Sequence, residues 1–397
     1  MKKIILIALT FLSILNSHGQ TADYIIRNGK LIDGMGNQWQ YKDVAITKDK
    51  IVAIGNLQNW KGTREIDAKG FIISPGFIDV HGHIENAAIR NPLASNFIYD
   101  GVTTVITGNC GGSMEDLKKY FNSIDSVGVA INIGSLIGHN TIRKQVMGTA
   151  NRNATEEELM QMEQLAQQAM KDGAAGMSTG LIYIPGTYAP TSEIVRLAKV
   201  VSNNSGVYAS HIRYEEDKVV DAINEAINIG REANIPVEIS HFKVSGQNNW
   251  GRSKETIPLI VNARKEGIDV TIDQYPYTAS STQLSVLLPD WVLADGQDSI
   301  MSRLKNPSIR KKVAAHSMGI IKKRGLKHFS YAVVANYSAD STYNGKSIEE
   351  ISIMCENKDL LHGPNSVNWK CYSPNNKPNA GLDRVKGSIG SFINGRP

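Results

Sequence analysis

The stretch Pro75-Gly76-Phe77-Ile78-Asp79-Val80-His81-Gly82-His83 reads as a turn, a short apolar strand and two histidines two residues apart. Strand side chains alternate, so a spacing of two turns both imidazoles to the same side. If that side is the lumen of a parallel barrel, the pair sits at a strand's carboxyl end, where barrel sites are built, and can share one divalent cation. Gly82 would leave room between them for substrate or metal. A bare His-x-His serves equally well as two loop histidines with ordinary hydrogen bonds, so the surrounding pattern has to decide.

Downstream, short apolar runs alternate with amphipathic ones, the layout of repeated βαβ crossovers. Candidate strands are 77–80, 103–108, 129–138, 174–181, 207–212, 236–242 and 268–274. Seven strands in this order approach a barrel of eight, although a doubly wound sheet would also fit. The helix after residue 154 is well signalled: Thr155 and Glu158 form a capping box, and Leu159, Met162, Leu165, Ala166 and Ala169 fall on one face before Gly173 ends it.

Upstream, residues 20–74 read as short strands (24–26, 43–46, 50–54) punctuated by Asn28-Gly29 and Asp33-Gly34. Residues 1–19 carry two lysines, about a dozen apolar residues and a small or polar end, the layout of a cleaved export signal. The mature chain is expected outside the cytoplasm, in the periplasm, with no membrane insertion. Residues 75–283 hold the βα alternation, and 284–355 read as a mostly helical insertion with a short strand at 331–335. Residues 356–397 read as an irregular tail, with no apolar run long enough for a buried strand.

The chemistry-bearing residues cluster at strand ends. Cys110 closes the second candidate strand in Gly108-Asn109-Cys110-Gly111-Gly112, whose glycines would let the backbone crowd a ligand. His211 and His241 close the fifth and sixth. With nine histidines and three cysteines in the chain, five of those twelve at the carboxyl ends of expected parallel strands point to a metal site. Imidazole and thiolate together favour zinc, which acidifies water and polarises an amide carbonyl. Cys110, Cys355 and Cys371 cannot all pair, so disulfides do not hold this chain together. A net charge of +5, or +3 without Lys2 and Lys3, comes without basic runs, so nucleic acid and membrane surfaces are not the expected partners. A small molecule is. Nothing in the sequence sets an expectation for oligomeric state.

Taken together, the motif at 75–83, Gly101-Val102-Thr103-Thr104-Val105, Gly108-Asn109-Cys110-Gly111, Ile137-Gly138-His139, the run 178–186, the His211 and His241 motifs and Asp273-Gln274-Tyr275-Pro276-Tyr277 resemble the N-acyl-D-amino-acid deacylases (D-aminoacylases) of the amidohydrolase superfamily. The likeness spans residues 22 to 355. It implies an α/β fold: a TIM-like barrel beside a small N-terminal β-sandwich portion. It further implies that Cys110, His211 and His241 hold a tightly bound zinc, with His81 and His83 at a second, weaker or vacant site. Substrate-binding roles follow for Tyr183, Lys243, Tyr275 and Ser281, with Lys243 facing the free carboxylate of the substrate. Arg213 lies two residues beyond His211 and could meet the same carboxylate, or form a structural salt bridge to Glu215 or Glu216.

One element of the family pattern has no match. The catalytic Asp expected at the end of the eighth barrel strand, usually followed by Gly, has no counterpart after the insertion, and Asp383 in Gly381-Leu382-Asp383-Arg384 does not fit. The last barrel strand and the strands completing the sandwich are likewise unmatched, which a truncation or shifted frame near Leu361 would explain. The leading expectation is a zinc-dependent hydrolase of linear amides in N-acyl-D-amino acids or dipeptides with a D-residue. The alternatives are an inactive metal-binding relative or fragment, and a cyclic-amide hydrolase of the dihydroorotase type. Cys110 and the Tyr183 motif argue against the last.

Overall fold

The computed structural model describes residues 20–277, 279–356 and 388–392. The expected export signal, Cys371, Asp383 and most of the expected tail lie outside the described residues. The chain divides into two compact units, one ending at Phe77 and the other beginning at Ile78.

The first unit is a five-stranded sheet. β1 (Thr21–Leu31) pairs antiparallel with β2 (Gln40–Thr47), which pairs antiparallel with β3 (Lys50–Gly55). On its other edge β1 runs parallel to β4 (Lys61–Asp67) and β5 (Ile72–Ile73). Ala22, Ile25, Ala45 and, from the loop after β3, Leu57 are buried as its core. Asn28-Gly29 does not end a strand, as the sequence suggested. It makes an irregularity inside β1, where the register to β2 shifts between Ile26 and Gly29 and Asn28 takes φ 63°. Asn28 tolerates this left-handed backbone because its amide nitrogen donates to Asp67 and its backbone N–H to Asp43, which replace the lost ladder bonds.

The second unit carries the parallel strands. β6 (Phe77–Asp79), β7 (Val102–Thr107) and β8 (Asn132–Ser135) form one sheet. β9 (Ile137–Gly138), β10 (Gly176–Gly180), β11 (Val207–His211), β12 (Val237–Ile239) and β13 (Val270–Ile272) form the next, in sequential parallel order. The expected strand 129–138 is thus split into β8 and β9. Leu136 N–H to Thr107 O (2.8 Å) and Ala175 N–H to Ser135 O (2.9 Å) carry the backbone connection across that break.

Helices 117–127, 139–147, 156–171, 191–202, 219–233 and 253–265 intervene. Their apolar stripes supply Leu117, Ile142, Met162, Leu197, Ile223 and Ile260 to a single core shared with Val105, Met177, Tyr208 and Ile239 on the strands. The Thr155–Glu158 capping box forms as expected, and Met162, Ala166 and Ala169 are buried.

Beyond β13 the chain departs from the alternation. β14 (Ala279–Gln283) and β15 (Ala332–Val334) flank helices 297–305 and 307–323, and β16 (Ser388–Phe392) lies antiparallel between these two strands. The sequence reading found no strand in the tail, and β16 corrects it. Ser-Ile-Gly-Ser-Phe has too little apolar periodicity to announce a strand, and its backbone hydrogen-bonds on both sides to neighbours remote in sequence. β16 does not extend the parallel series. Among the described residues no helix is long and apolar enough to cross a membrane.

Candidate metal centre

All the side chains singled out in the sequence line one cleft of the second unit, about 2520 Å³ in volume: His81, His83, Cys110, Tyr183, His211, Arg213, His241, Lys243, Tyr275 and Ser281. The parallel strands bring most of them together at their carboxyl ends, and Ser281 comes from β14.

At the cleft floor the donor atoms converge. Cys110 Sγ lies 3.4 Å from His81 Nε2 and 3.7 Å from His241 Nε2, which is 2.7 Å from His211 Nδ1. Two overlapping groups result, Cys110 with His211 and His241, and Cys110 with His81 and His83, each with ligand atoms within 4.8 Å of one another. Cys110 belongs to both. Cys110 and His241 reach these positions on left-handed backbone, φ 52° and 38°, a conformation costly for residues with a Cβ and concentrated at functional sites.

Behind the inward-facing nitrogens stand two carboxylates. Asp273 Oδ2 is 2.8 Å from His81 Nδ1, and its Oδ1 accepts the His241 backbone N–H at 2.5 Å. Glu215 Oε1 is 3.1 Å from His241 Nδ1, 3.7 Å from His211 Nε2 and 2.5 Å from Lys243 Nζ. Burial alone would raise the Glu215 carboxyl, but His211, Lys243 and His241 together hold it well below the usual carboxylate range. Burial pushes His211 well below its ordinary value, against the Glu215 charge that raises it. Burial, with the Glu215 charge behind it, pushes the Cys110 thiol up. A soft sulfur and several imidazole nitrogens turned toward one point fit a cation of the zinc type better than an oxygen-seeking one.

Neither Glu215 nor Asp273 was assigned a role from sequence. Glu215 lies four residues past His211 and was weighed only as a salt-bridge partner of Arg213. Asp273 opens the Asp-Gln-Tyr-Pro-Tyr motif.

Several expected roles change. Gly82 does not leave room for a ligand: a Cβ there would run into Val105 Cγ1 on β7, so its smallness serves close strand packing. At Gly108 a Cβ would meet the Leu136 carbonyl, and at Gly111 the Asn140 side chain. Arg213 bonds neither Glu215 nor Glu216. It pairs with Glu225 (Nη2 to Oε1 2.8 Å) and donates to Thr187 O and Ala189 O, both at 3.1 Å. Its donors are therefore spent on the loop after β10 rather than offered to the cleft. Lys243 already holds a carboxylate, Glu215, with its ammonium 5.8 Å from the Tyr275 ring centre. The Tyr183 ring lies 4.8 Å from that of His211, and its hydroxyl meets Thr282 Oγ1 at 3.0 Å. Neighbouring Ser281 is exposed on the cleft wall.

Residues 64–360 match the amidohydrolase family. The chain belongs to that family. This amidohydrolase is 38% identical over 307 residues to a D-aminoacylase of Alcaligenes xylosoxydans xylosoxydans, covering 72% of this chain and 63% of that protein. It therefore spans somewhat under two thirds of that relative's length. A solved D-aminoacylase with a binuclear metal centre matches with a TM-score of 0.72 at 30% identity, covering 94% of this chain and 71% of the other. The N-acyl-D-glutamate deacylase of Bordetella bronchiseptica, complexed with zinc and a phosphonate inhibitor, matches with a TM-score of 0.74 at 27% identity, covering 94% and 72%.

Proposed function

We propose that this amidohydrolase is an exported, zinc-dependent enzyme that hydrolyses the acyl amide of N-acyl-D-amino acids. The observation that carries this reading is the convergence of Cys110, His211 and His241 on one point, with Cys110 shared by His81 and His83. Zinc fits the sulfur and nitrogen donor set, and the relatives named above are a D-aminoacylase and an N-acyl-D-glutamate deacylase complexed with zinc. In this reading Cys110, His211 and His241 hold the tighter ion, and His81 and His83 serve a weaker second position.

When bound, the ion supplies Lewis acidity toward an amide carbonyl and an acidified water. The chain's own residues orient the reactants. Asp273 fixes the His81 ring through Nδ1. Tyr183 shields one face of His211 and, together with Thr282, narrows the cleft beside it. In this reading Lys243 and Tyr275 receive the substrate carboxylate. Lys243 would share its ammonium between that carboxylate and Glu215.

The test is hydrolysis of N-acetyl-D-methionine and N-acetyl-L-methionine by the purified, zinc-supplemented chain, with metal content measured on the same sample. Preferential turnover of the D-isomer is expected, together with loss of bound zinc in Cys110→Ala. A folded, zinc-loaded protein that cleaves neither enantiomer would overturn the hydrolase reading, and unchanged zinc in Cys110→Ala would remove the thiol from the site.

A further inference from the structure

We infer that Glu215 is a positioning residue for both His211 and His241, one carboxylate that sets the orientation and hydrogen-bonding state of two metal-ligating rings. The inference rests on the metal-centre reading and extends it to a residue outside the ligand set.

Three imidazoles at the cleft floor, those of His81, His211 and His241, have one nitrogen turned toward Cys110 or a neighbouring ring and the other facing a carboxylate. For His81 that carboxylate is Asp273, at 2.8 Å. His241 and His211 share a single one. Glu215 Oε1 stands 3.1 Å from His241 Nδ1, the nitrogen opposite the one facing Cys110, and 3.7 Å from His211 Nε2, opposite the one facing His241. Glu215 Oε1 and Lys243 Nζ both lie close to His241 Nδ1, at 3.1 and 3.2 Å, so the carboxylate and its countercharge together meet the outward side of that ring and leave Nε2 facing the cluster. The longer approach to His211 acts by charge, on an Nε2 that has no hydrogen-bond partner, while the inward Nδ1 meets His241 Nε2 at 2.7 Å.

The Glu215 side chain is only 13% exposed, so its contacts are held by packing rather than left to solvent. Lys243 supplies the countercharge at 2.5 Å. Local geometry delivers it: Glu215 follows β11 by four residues, and its backbone carbonyl accepts the Ser245 N–H at 2.7 Å, tying the loop after β11 to the loop after β12. One carboxylate is thereby held between the ligand histidines of two adjacent strands. Carboxylates behind metal-ligating histidines raise ligand basicity and fix the ring, and their loss typically weakens metal binding 10–100-fold.

The experiment is a zinc titration of the full chain in competition with a chromophoric chelator, comparing parent, Glu215→Gln and Glu215→Ala, with Co²⁺ absorption spectra of the same three proteins. The zinc dissociation constant is expected to rise about 10-fold in Glu215→Gln and nearer 100-fold in Glu215→Ala, with altered cobalt ligand-field bands. A carboxylate that merely neutralised Lys243 would change thermal stability but leave both readouts at parental values, and that result overturns the inference. Glu215→Gln keeps the side-chain shape, so it decides the question if Glu215→Ala does not fold. A parent that takes up no zinc overturns the metal reading and this inference together, whereas a parent and Glu215→Gln that bind zinc equally overturn this inference alone.

Discussion

His81 Nδ1 and Asp273 Oδ2 meet at 2.8 Å across 192 positions of sequence, joining the segment after β6 to the residue just past β13. Among the described residues no backbone ladder joins β6 to β13, and this side-chain contact links the segments that follow them. Asp273 also accepts the His241 N–H and so anchors two groups of the cluster. Asp273→Ala strands both donors, and a loss of about 1.5–3 kcal/mol in unfolding free energy is expected from urea denaturation of the metal-free protein. Asp273→Asn retains an acceptor and should lose less.

Arg213 is expected to act through the loop it holds. Arg213→Lys keeps a charge for Glu225 but cannot span the Thr187 and Ala189 carbonyls together. Hydrogen exchange should rise in a peptide covering 181–189 while zinc content stays parental. A rise in KM for the amino-acid substrate with no change in that peptide's exchange would instead assign Arg213 to the substrate carboxylate.

Lys243→Ala removes a cation that faces the cleft and the partner of Glu215. A carboxylate-binding role requires KM to rise more than kcat falls, and the defect should shrink for a substrate amidated at that carboxyl group. Equal defects toward both substrates would confine Lys243 to supporting Glu215.

Far from the cleft, Glu158 closes the capping box of helix 156–171 and pairs with Arg152. The Arg152 guanidinium and then the Thr155 N–H lower its pKa from the ordinary 4.5 to about 2. A depressed carboxyl contributes stability that is complete above about 4.5 and lost as pH falls through about 2. The melting-temperature gap between parent and Glu158→Gln should therefore be constant above about pH 4.5 and narrow toward pH 2. A gap independent of pH over that range would show that the charge contributes nothing.

The parallel layer was legible because its signals are local. Period-two strands, helical stripes, the Thr155 capping box and histidines at strand ends all lie within a few residues of what they specify. Those cues named every member of the two ligand groups and found all seven strand positions of the parallel series. The insertion's helices and the strand at 332–334 were visible in the same way.

What the sequence could not show depends on contacts between remote segments. Glu215 looks like any loop glutamate until β11 and β12 lie side by side and set His241 against it. For Arg213 the sequence left the substrate carboxylate and a salt bridge to Glu215 or Glu216 open, because strand alternation sets a side chain's direction but not its partner, and Glu225 lies on the helix that follows. Gly82 and Gly108 looked like space left for a ligand, and only the positions of Val105 and Leu136 reveal that packing fills it. The sequence by itself determined which residues end strands and what chemistry they can offer. The tertiary structure alone decided which charge stands behind which ring, because that depends on distances of a few ångströms between side chains far apart along the chain.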